Sequence, residues 1–271
     1  MEKTRETYLV KPGQQVAVGG EEASDKALYN GNKASSKKPL KGILDSMLEE
    51  QTKLYAGESK KLLVVIQAMD TGGKDGCVKS VFATVDPKGI NVECFKKPSS
   101  DELDHDYLWR IHKKVPRKGM ITVFNRSHYE DIIAVKVKNI YPESVWQKRY
   151  QHIIDFEKML SDEGVTIVKI FLNISKDEQK ERLQARLDDP SKHWKFNPGD
   201  LDDRKRWDDF MAAYQDLFAR TSTETAPWYV VPANSKYYRN LAVSQIITDT
   251  LKDMKLDYPV VDWKPEDFDI I

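Results

Sequence analysis

The apolar positions Leu40, Ile43, Leu44, Met47, Leu48 and Leu54 recur at three- and four-residue intervals and predict a helix over 40–55. The period then changes. Leu62, Leu63, Val64, Val65 and Ile66 form an unbroken apolar run, the signature of a strand buried on both faces of a parallel sheet. The run stops at a glycine-rich turn, and a helix is expected from about Gly73 through Val78, Val81 and Phe82. Further strands are predicted over 89–95, 120–124, 165–172 and 228–231. Helices are predicted over 101–114, 144–160, 175–187, 200–219 and 237–254, the fourth-strand crossover opening on Ser175 with Glu178 three residues on, a capping-box spacing. Strand and helix alternate without an internal repeat, which implies an α/β fold: a mostly parallel sheet covered by helices on both faces. Residues 1–39 are polar and aperiodic, an arm ahead of a domain over 40–256, with a lid-like insertion at about 175–225 and an extended tail over 257–271.

Composition narrows the function classes. The chain of 271 residues carries 43 Lys+Arg and 43 Asp+Glu, so it lacks the basic excess of a nucleic-acid-coating protein, and any polyanion must be met by a local cluster. Its two cysteines are too few for a disulfide framework. No stretch approaches the roughly 18 apolar residues of a membrane span, and a cytoplasmic protein is expected. Trp146, Tyr150 and Phe156 on one long helix are candidates for a subunit interface or for core, and a homo-oligomer is expected.

The candidate chemistry begins after the first buried strand, at Ala68-Met69-Asp70-Thr71-Gly72-Gly73-Lys74-Asp75-Gly76. A strand, a glycine-rich turn and a helix N-terminus together present backbone N–H groups to phosphate oxygens, with a lysine reaching the terminal phosphates. Gly73-Lys74 supplies that pair. Ala68 stands where a P-loop has its first glycine, and Asp75 stands where a Ser or Thr would help hold magnesium. Thr71, Gly72, Gly73, Lys74, Asp75 and Gly76 are therefore the phosphate-binding candidates, although a tight turn alone also asks for glycine. Asp70 within a phosphate cradle would repel the ligand unless a cation intervened, so it is a candidate Mg²⁺ ligand, a charge partner of Lys74, or simply a helix cap.

A second cluster follows the 120–124 strand, at the carboxyl end where ligands of open α/β sheets bind. There Asn125 and Arg126 offer phosphate and nucleotide contacts. Glu130, four residues beyond Arg126, is a candidate metal ligand with Asp70, a nucleotide-binding group that orients the acceptor, or the other half of an i,i+4 ion pair. His128 is expected to hydrogen-bond or pack. Phe95 and Lys96, past the second strand, are placed to border a nucleoside. In the insertion Arg182 and Arg186 share a helix face, and Lys192 and Lys195 flank Trp194. Nine cations and eight acids lie between Lys176 and Arg206, so charge counting decides nothing there. What matters is whether the arginines face the crevice, where they would neutralise transferring phosphates.

Together these segments, with Phe95-Lys96-Lys97-Pro98, Phe124-Asn125-Arg126-Ser127-His128-Tyr129-Glu130-Asp131, Arg182-Leu183-Gln184-Ala185-Arg186, Lys192-His193-Trp194-Lys195-Phe196 and Ala226-Pro227-Trp228-Tyr229, resemble the polyphosphate kinase 2 family in order and spacing. The resemblance implies a thymidylate-kinase-like P-loop fold with a helical lid. It implies Mg²⁺-dependent (or Mn²⁺-dependent) transfer between inorganic polyphosphate and adenine or guanine nucleotides. It also implies functional roles for Asp70, Lys74, Arg126, Arg182 and Arg186. Many members begin the post-strand segment with Asp-Arg-Ser, where this chain has Asn125-Arg126-Ser127, and Glu130 is the carboxylate left to stand in. The wording is similar to the subgroup that phosphorylates both AMP and ADP. The competing expectations are an ATP-dependent nucleoside monophosphate kinase, whose loop and lid would look alike, and a non-catalytic binder of nucleotide or polyphosphate.

Overall fold

The computed structural model describes residues 3–269. In chain order its main elements are α1 (Lys3–Tyr8), β1 (Leu9–Val10), α2 (Lys37–Gly57), β2 (Lys61–Gln67), α3 (Lys74–Val81), β3 (Ile90–Cys94), α4 (Ser100–Leu103), α5 (Trp109–His112), β4 (Ile121–Asn125), α6 (Glu130–Val137), α7 (Glu143–Asp162), β5 (Val165–Asn173), α8 (Lys176–Leu187), α9 (Gly199–Lys205), α10 (Trp207–Thr221), β6 (Trp228–Pro232) and α11 (Lys236–Asp253). The six strands form one sheet in the order β1-β6-β5-β2-β4-β3. All neighbours are parallel except β1, which pairs antiparallel with β6 through Leu9 opposite Tyr229 and Val10 opposite Trp228.

The unbroken apolar run is the central strand. Leu62 through Ile66 are wholly buried on β2, between β5 and β4, because helices leave neither face to water. Those helices fall into two mutually packed groups: α11 lies against α2 and α3, while α6, α7 and α10 pack on one another. Trp146, Tyr150 and Phe156 are buried in the main core, so the choice left open for them resolves to core rather than interface.

The polar arm carries a strand that its composition did not announce. The arm stays close to the domain: Tyr8, Val10, Val18 and Ala23 are buried, and the Gly19 N–H donates to Asn173 Oδ1 at 2.8 Å.

Three helical expectations change. The helix over 101–114 is two short ones, α4 and α5. Ser99 and Glu102 close a capping box on α4, and the Asp106 side chain accepts from the Leu108 N–H at 2.9 Å, a local turn that interrupts the helix. The helix over 200–219 breaks at Arg206, whose guanidinium donates to the Val137 carbonyl at 2.7 Å. Helix α6 is not among the predicted elements, because its buried Ile132, Ile133, Val135 and Val137 are spread around the helix and mark no single apolar stripe. At the start of α8 only half of the capping box exists. Ser175 Oγ accepts from the Glu178 N–H (3.2 Å), but the Glu178 carboxylate takes Arg182 Nε instead (2.6 Å).

Candidate active site

Strand β2 delivers the chain into the loop 68–73, and α3 begins at Lys74 with Gly73 as its N-cap at φ +94°. The loop is tightly folded. Thr71 takes φ +60°, and a Cβ on Gly72 would lie 2.8 Å from the Met69 carbonyl oxygen. Gly73 is restricted twice over, since its φ is left-handed and a Cβ there would collide with Arg239 Nη1. Lys74 curls back beneath the loop, its Nζ donating to the carbonyls of Ala68 (2.8 Å) and Met69 (3.3 Å). Burial, with the charge of Arg126, pushes its ammonium below the usual lysine range, against the pull of Asp70, Glu130 and Asp75. An incoming phosphate would relieve that stress.

Asp70 is not the helix cap. It pairs with Arg126, whose Nη2 lies 2.7 Å from Asp70 Oδ1. Arg126 itself sits at φ +63°, its N–H continuing the strand ladder to the Ile66 carbonyl (3.1 Å). Because α6 starts only at Glu130, the i,i+4 ion pair with Arg126 does not form. Asp75 takes up Asn125, whose Nδ2 donates to it at 2.6 Å, so the two departures from the P-loop and strand-end patterns satisfy each other. Glu130 is half-buried and receives the Gln67 amide at 3.0 Å when that amide is oriented to satisfy its neighbours. Desolvation raises its carboxyl above the usual range, against Arg126 and Lys74.

These groups surround a cleft of about 660 Å³. Thr71, Gly72, Gly73, Lys74, Asp75 and Gly76 form one side with Asp70. Phe95 and Lys96 stand at the end of β3, and Asn125 and Arg126 at the end of β4. Arg182, Arg186, Lys192 and Lys195 close it from the lid, so both lid arginines face the crevice. Glu130 does not line this cleft. It lies in an adjoining cavity of about 110 Å³ with Lys138, Asp203 and Tyr214, and the Asp70–Arg126 pair borders both spaces.

The lid is stitched down. Arg182 Nη1 donates to the Thr71 carbonyl (3.1 Å) and Nη2 to the Ala233 carbonyl (2.7 Å), while Gln179 Nε2 reaches the Asp70 carbonyl (3.1 Å). Arg186 Nη1 donates to the Lys195 carbonyl (2.8 Å) and approaches Asp200 Oδ2 (3.4 Å). Burial, with the field of Asp70, pushes the Asp200 carboxyl up to about 6 despite Arg186. Phe95 is held edge-on against Phe124 (centroids 4.9 Å apart) under the Arg110 guanidinium, and Arg110 Nη1 also fixes the Lys96 carbonyl at 2.8 Å.

Several residues here escaped sequence reasoning. Asp200, Asn197 and Lys236 line the cleft, and Arg239 braces the loop from behind. Behind the strand-end segment lies a buried ionic network. Lys169 Nζ donates to Glu157 Oε2 (2.6 Å), to Tyr129 Oη (2.8 Å) and to the Thr221 carbonyl (2.7 Å). Tyr129 Oη in turn donates to Glu157 Oε1 (2.6 Å). His128, fully buried, places Nε2 3.3 Å from the same oxygen, a packing and hydrogen-bonding role. One signal was available for this network: Lys169 is the lone charge inside the 165–172 strand run.

The family model described as polyphosphate kinase 2 matches residues 31–259. The chain belongs to the polyphosphate kinase 2 family. A relative in Meiothermus ruber, named AMP/ADP-polyphosphate phosphotransferase, is 51% identical over 253 residues, covering 93% of this chain and 94% of the relative. An ADP-polyphosphate phosphotransferase of Rhodopseudomonas palustris is 39% identical over 269 residues, covering 95% and 92%. The crystal structure of polyphosphate kinase 2 from Arthrobacter aurescens TC1 superposes with a TM-score of 0.92 at 46% identity, covering 97% of this chain and 94% of that one. The span matched by the polyphosphate kinase 2 family model holds strands β2 to β6, the glycine-rich loop and the lid. Among the described residues no helix is long and apolar enough to cross a membrane.

Proposed function

We propose that this chain transfers the terminal phosphoryl group of inorganic polyphosphate to AMP and to ADP, reversibly and with Mg²⁺. The observation that carries this reading is the near-full-length 51% identity to a protein named for both acceptors, in a chain whose cleft presents Lys74, Arg126, Arg182 and Arg186 together. Phosphoryl transfer asks the protein chiefly to position two anions and to spread developing charge. The loop amides, Lys74, Lys192 and Lys195 bind the polyphosphate end. Arg126, Arg182 and Arg186 surround the space where the acceptor phosphate meets it. Asn125, Phe95 and Lys96 border the nucleotide.

The residues present fit a hard divalent cation. Among the described residues no cluster of three metal-ligating side chains exists, but Mg²⁺ is commonly bound by one or two carboxylates plus substrate phosphates. Asp70 supplies one such carboxylate at the cleft, and its second oxygen is not used by Arg126. Glu130, expected as a second ligand, lies in the adjoining cavity behind the Asp70–Arg126 pair and does not line the cleft, so Asp70 is the carboxylate left to hold the cation with the phosphates. When bound, Mg²⁺ (or Mn²⁺) would screen the phosphates from Asp70 and neutralise charge between them. Asp70 also orients Arg126, so it holds the guanidinium toward the acceptor.

The test incubates purified protein with Mg²⁺, polyphosphate and either AMP or ADP, and resolves the nucleotides by chromatography. ATP from both acceptors is expected, with product lost on chelation and restored by Mg²⁺. Asp70→Asn should cut turnover by about 10²–10³. ADP formed from ATP and AMP, with none from polyphosphate, would instead identify an ATP-dependent monophosphate kinase.

A further inference from the structure

Arg239, on the first turn of α11, is 3% exposed and reaches the rear of the P-loop. Its Nη1 donates to the Gly73 carbonyl at 3.2 Å, and Nε and Nη2 donate to Asn240 Oδ1 at 3.1 and 2.7 Å. Both acceptors are neutral. Among the described residues no carboxylate lies within ion-pair distance of it. The other buried arginines at this site differ: Arg182 has Glu178 at 2.6 Å, and Arg110 has Glu102 and Asp131 at 3.6 and 3.7 Å. The second guanidinium beside Gly73 is that of Arg182, so repulsion compounds the desolvation that holds Arg239 below the usual arginine range. A buried charge with no counter-charge is among the costliest features a fold carries.

Position supplies a reason for it. Gly73 and Gly76 line the cleft, and Arg239 lies behind both, its Nη1 against Gly73 and its Nη2 3.8 Å from where a Gly76 Cβ would be. Arg239 is not itself among the cleft-lining residues and stands behind the loop rather than in the ligand space. Its charge nonetheless acts across one thickness of backbone, where little water intervenes to screen it.

We propose that Arg239 is a positioning residue for phosphoryl transfer: its unpaired guanidinium holds Gly73 in place and supplies positive field through the loop, so that its counter-charge is the phosphate chain bound on the opposite face. The proposal rests on the reading of the loop as the phosphate cradle. A mere clamp would stabilise the empty protein. A field residue taxes the empty protein and is compensated when the anion arrives.

The experiment uses the full chain and inorganic tripolyphosphate as probe, comparing Arg239→Gln, Arg239→Lys and Lys74→Met by thermal unfolding, titration calorimetry and kinetics with polyphosphate. In Arg239→Gln the melting temperature of the ligand-free protein should equal or exceed that of wild type. Its Kd for tripolyphosphate and its KM for polyphosphate should rise at least tenfold, with kcat changing less. Arg239→Lys, which keeps the charge, should bind within about threefold of wild type. The proposal is overturned if Arg239→Gln binds normally, if it fails to fold without ligand, or if Arg239→Lys loses binding as fully as Arg239→Gln. Loss of binding in Lys74→Met but not in Arg239→Gln would leave the cradle standing without Arg239. Normal binding in both would refute the cradle reading as well.

Discussion

Replacing Lys169 by Met would leave the Glu157 carboxylate buried without its cation. The pair is closed to solvent: Lys169 is fully buried and Glu157 is 2% exposed, with Nζ–Oε2 at 2.6 Å. Burial works against the Glu157 charge, but Lys169 and His128 outweigh it and hold the carboxyl below its ordinary range. The sign follows from that direction. A depressed carboxyl contributes stability above its unfolded value of 4.5, lost only as the pH falls through the folded value, so a measurement at pH 7.5 samples the contribution in full. Removing one partner of such a pair costs about 3–5 kcal/mol. With an unfolding entropy of about 2.1 cal/mol/K per residue, a chain of 271 residues has about 0.57 kcal/mol/K, and the expected fall in Tm is about 5–9 °C. The double variant Lys169→Met with Glu157→Gln removes both charges and keeps an acceptor for Tyr129 Oη, which now donates to Glu157 at 2.6 Å. It should regain more than half of the loss, because isosteric neutral replacements of buried pairs are often tolerated. Calorimetric unfolding at pH 7.5 decides the matter. A single-variant shift under 2 °C, or a double variant no more stable than the single, would refute this account of the network.

Gly73→Ala should destabilise the protein by about 1–2 kcal/mol from its left-handed φ alone. It should also raise the KM for polyphosphate more than tenfold by pushing the loop off Arg239, and an unaltered KM in a folded variant would count against the described loop geometry. Asp200 tests the lid electrostatics. Its folded value of about 6 lies above the ordinary 3.8, so the fold favours the protonated form, and this contribution is complete below pH 3.8 and lost as the pH rises through 6. Asp200→Asn should therefore gain Tm relative to wild type between pH 4.5 and 7.5. A difference that stays constant across that range would show that Asp200 does not titrate there.

The chain on its own determines the period and order of its elements. The buried run at 62–66, the glycine turn after it and the cations of the lid were legible, because a parallel strand covered on both faces must be apolar throughout and a phosphate cradle needs glycine before its lysine. Local pattern also placed Asp70, Lys74, Asn125 and Arg126 at strand ends, where an α/β sheet opens its crevice. It could not decide partners. Arg126 stood four residues from Glu130, yet its left-handed φ turns it to Asp70, so Glu130 falls in a separate cavity behind that pair. Charge counting in the lid was silent, since nine cations and eight acids nearly cancel, and only the packing of α8 on the loop carbonyls turned Arg182 and Arg186 inward. Helix α6 hid for a different reason: its buried Ile132, Ile133, Val135 and Val137 are spread around the helix and mark no single apolar stripe. Arg239 lies 166 residues from Gly73, and Lys169 sits 40 from Tyr129. Such pairings depend on α11 and β5 being laid beside the loop by the sheet, and no local propensity encodes a contact made at that separation.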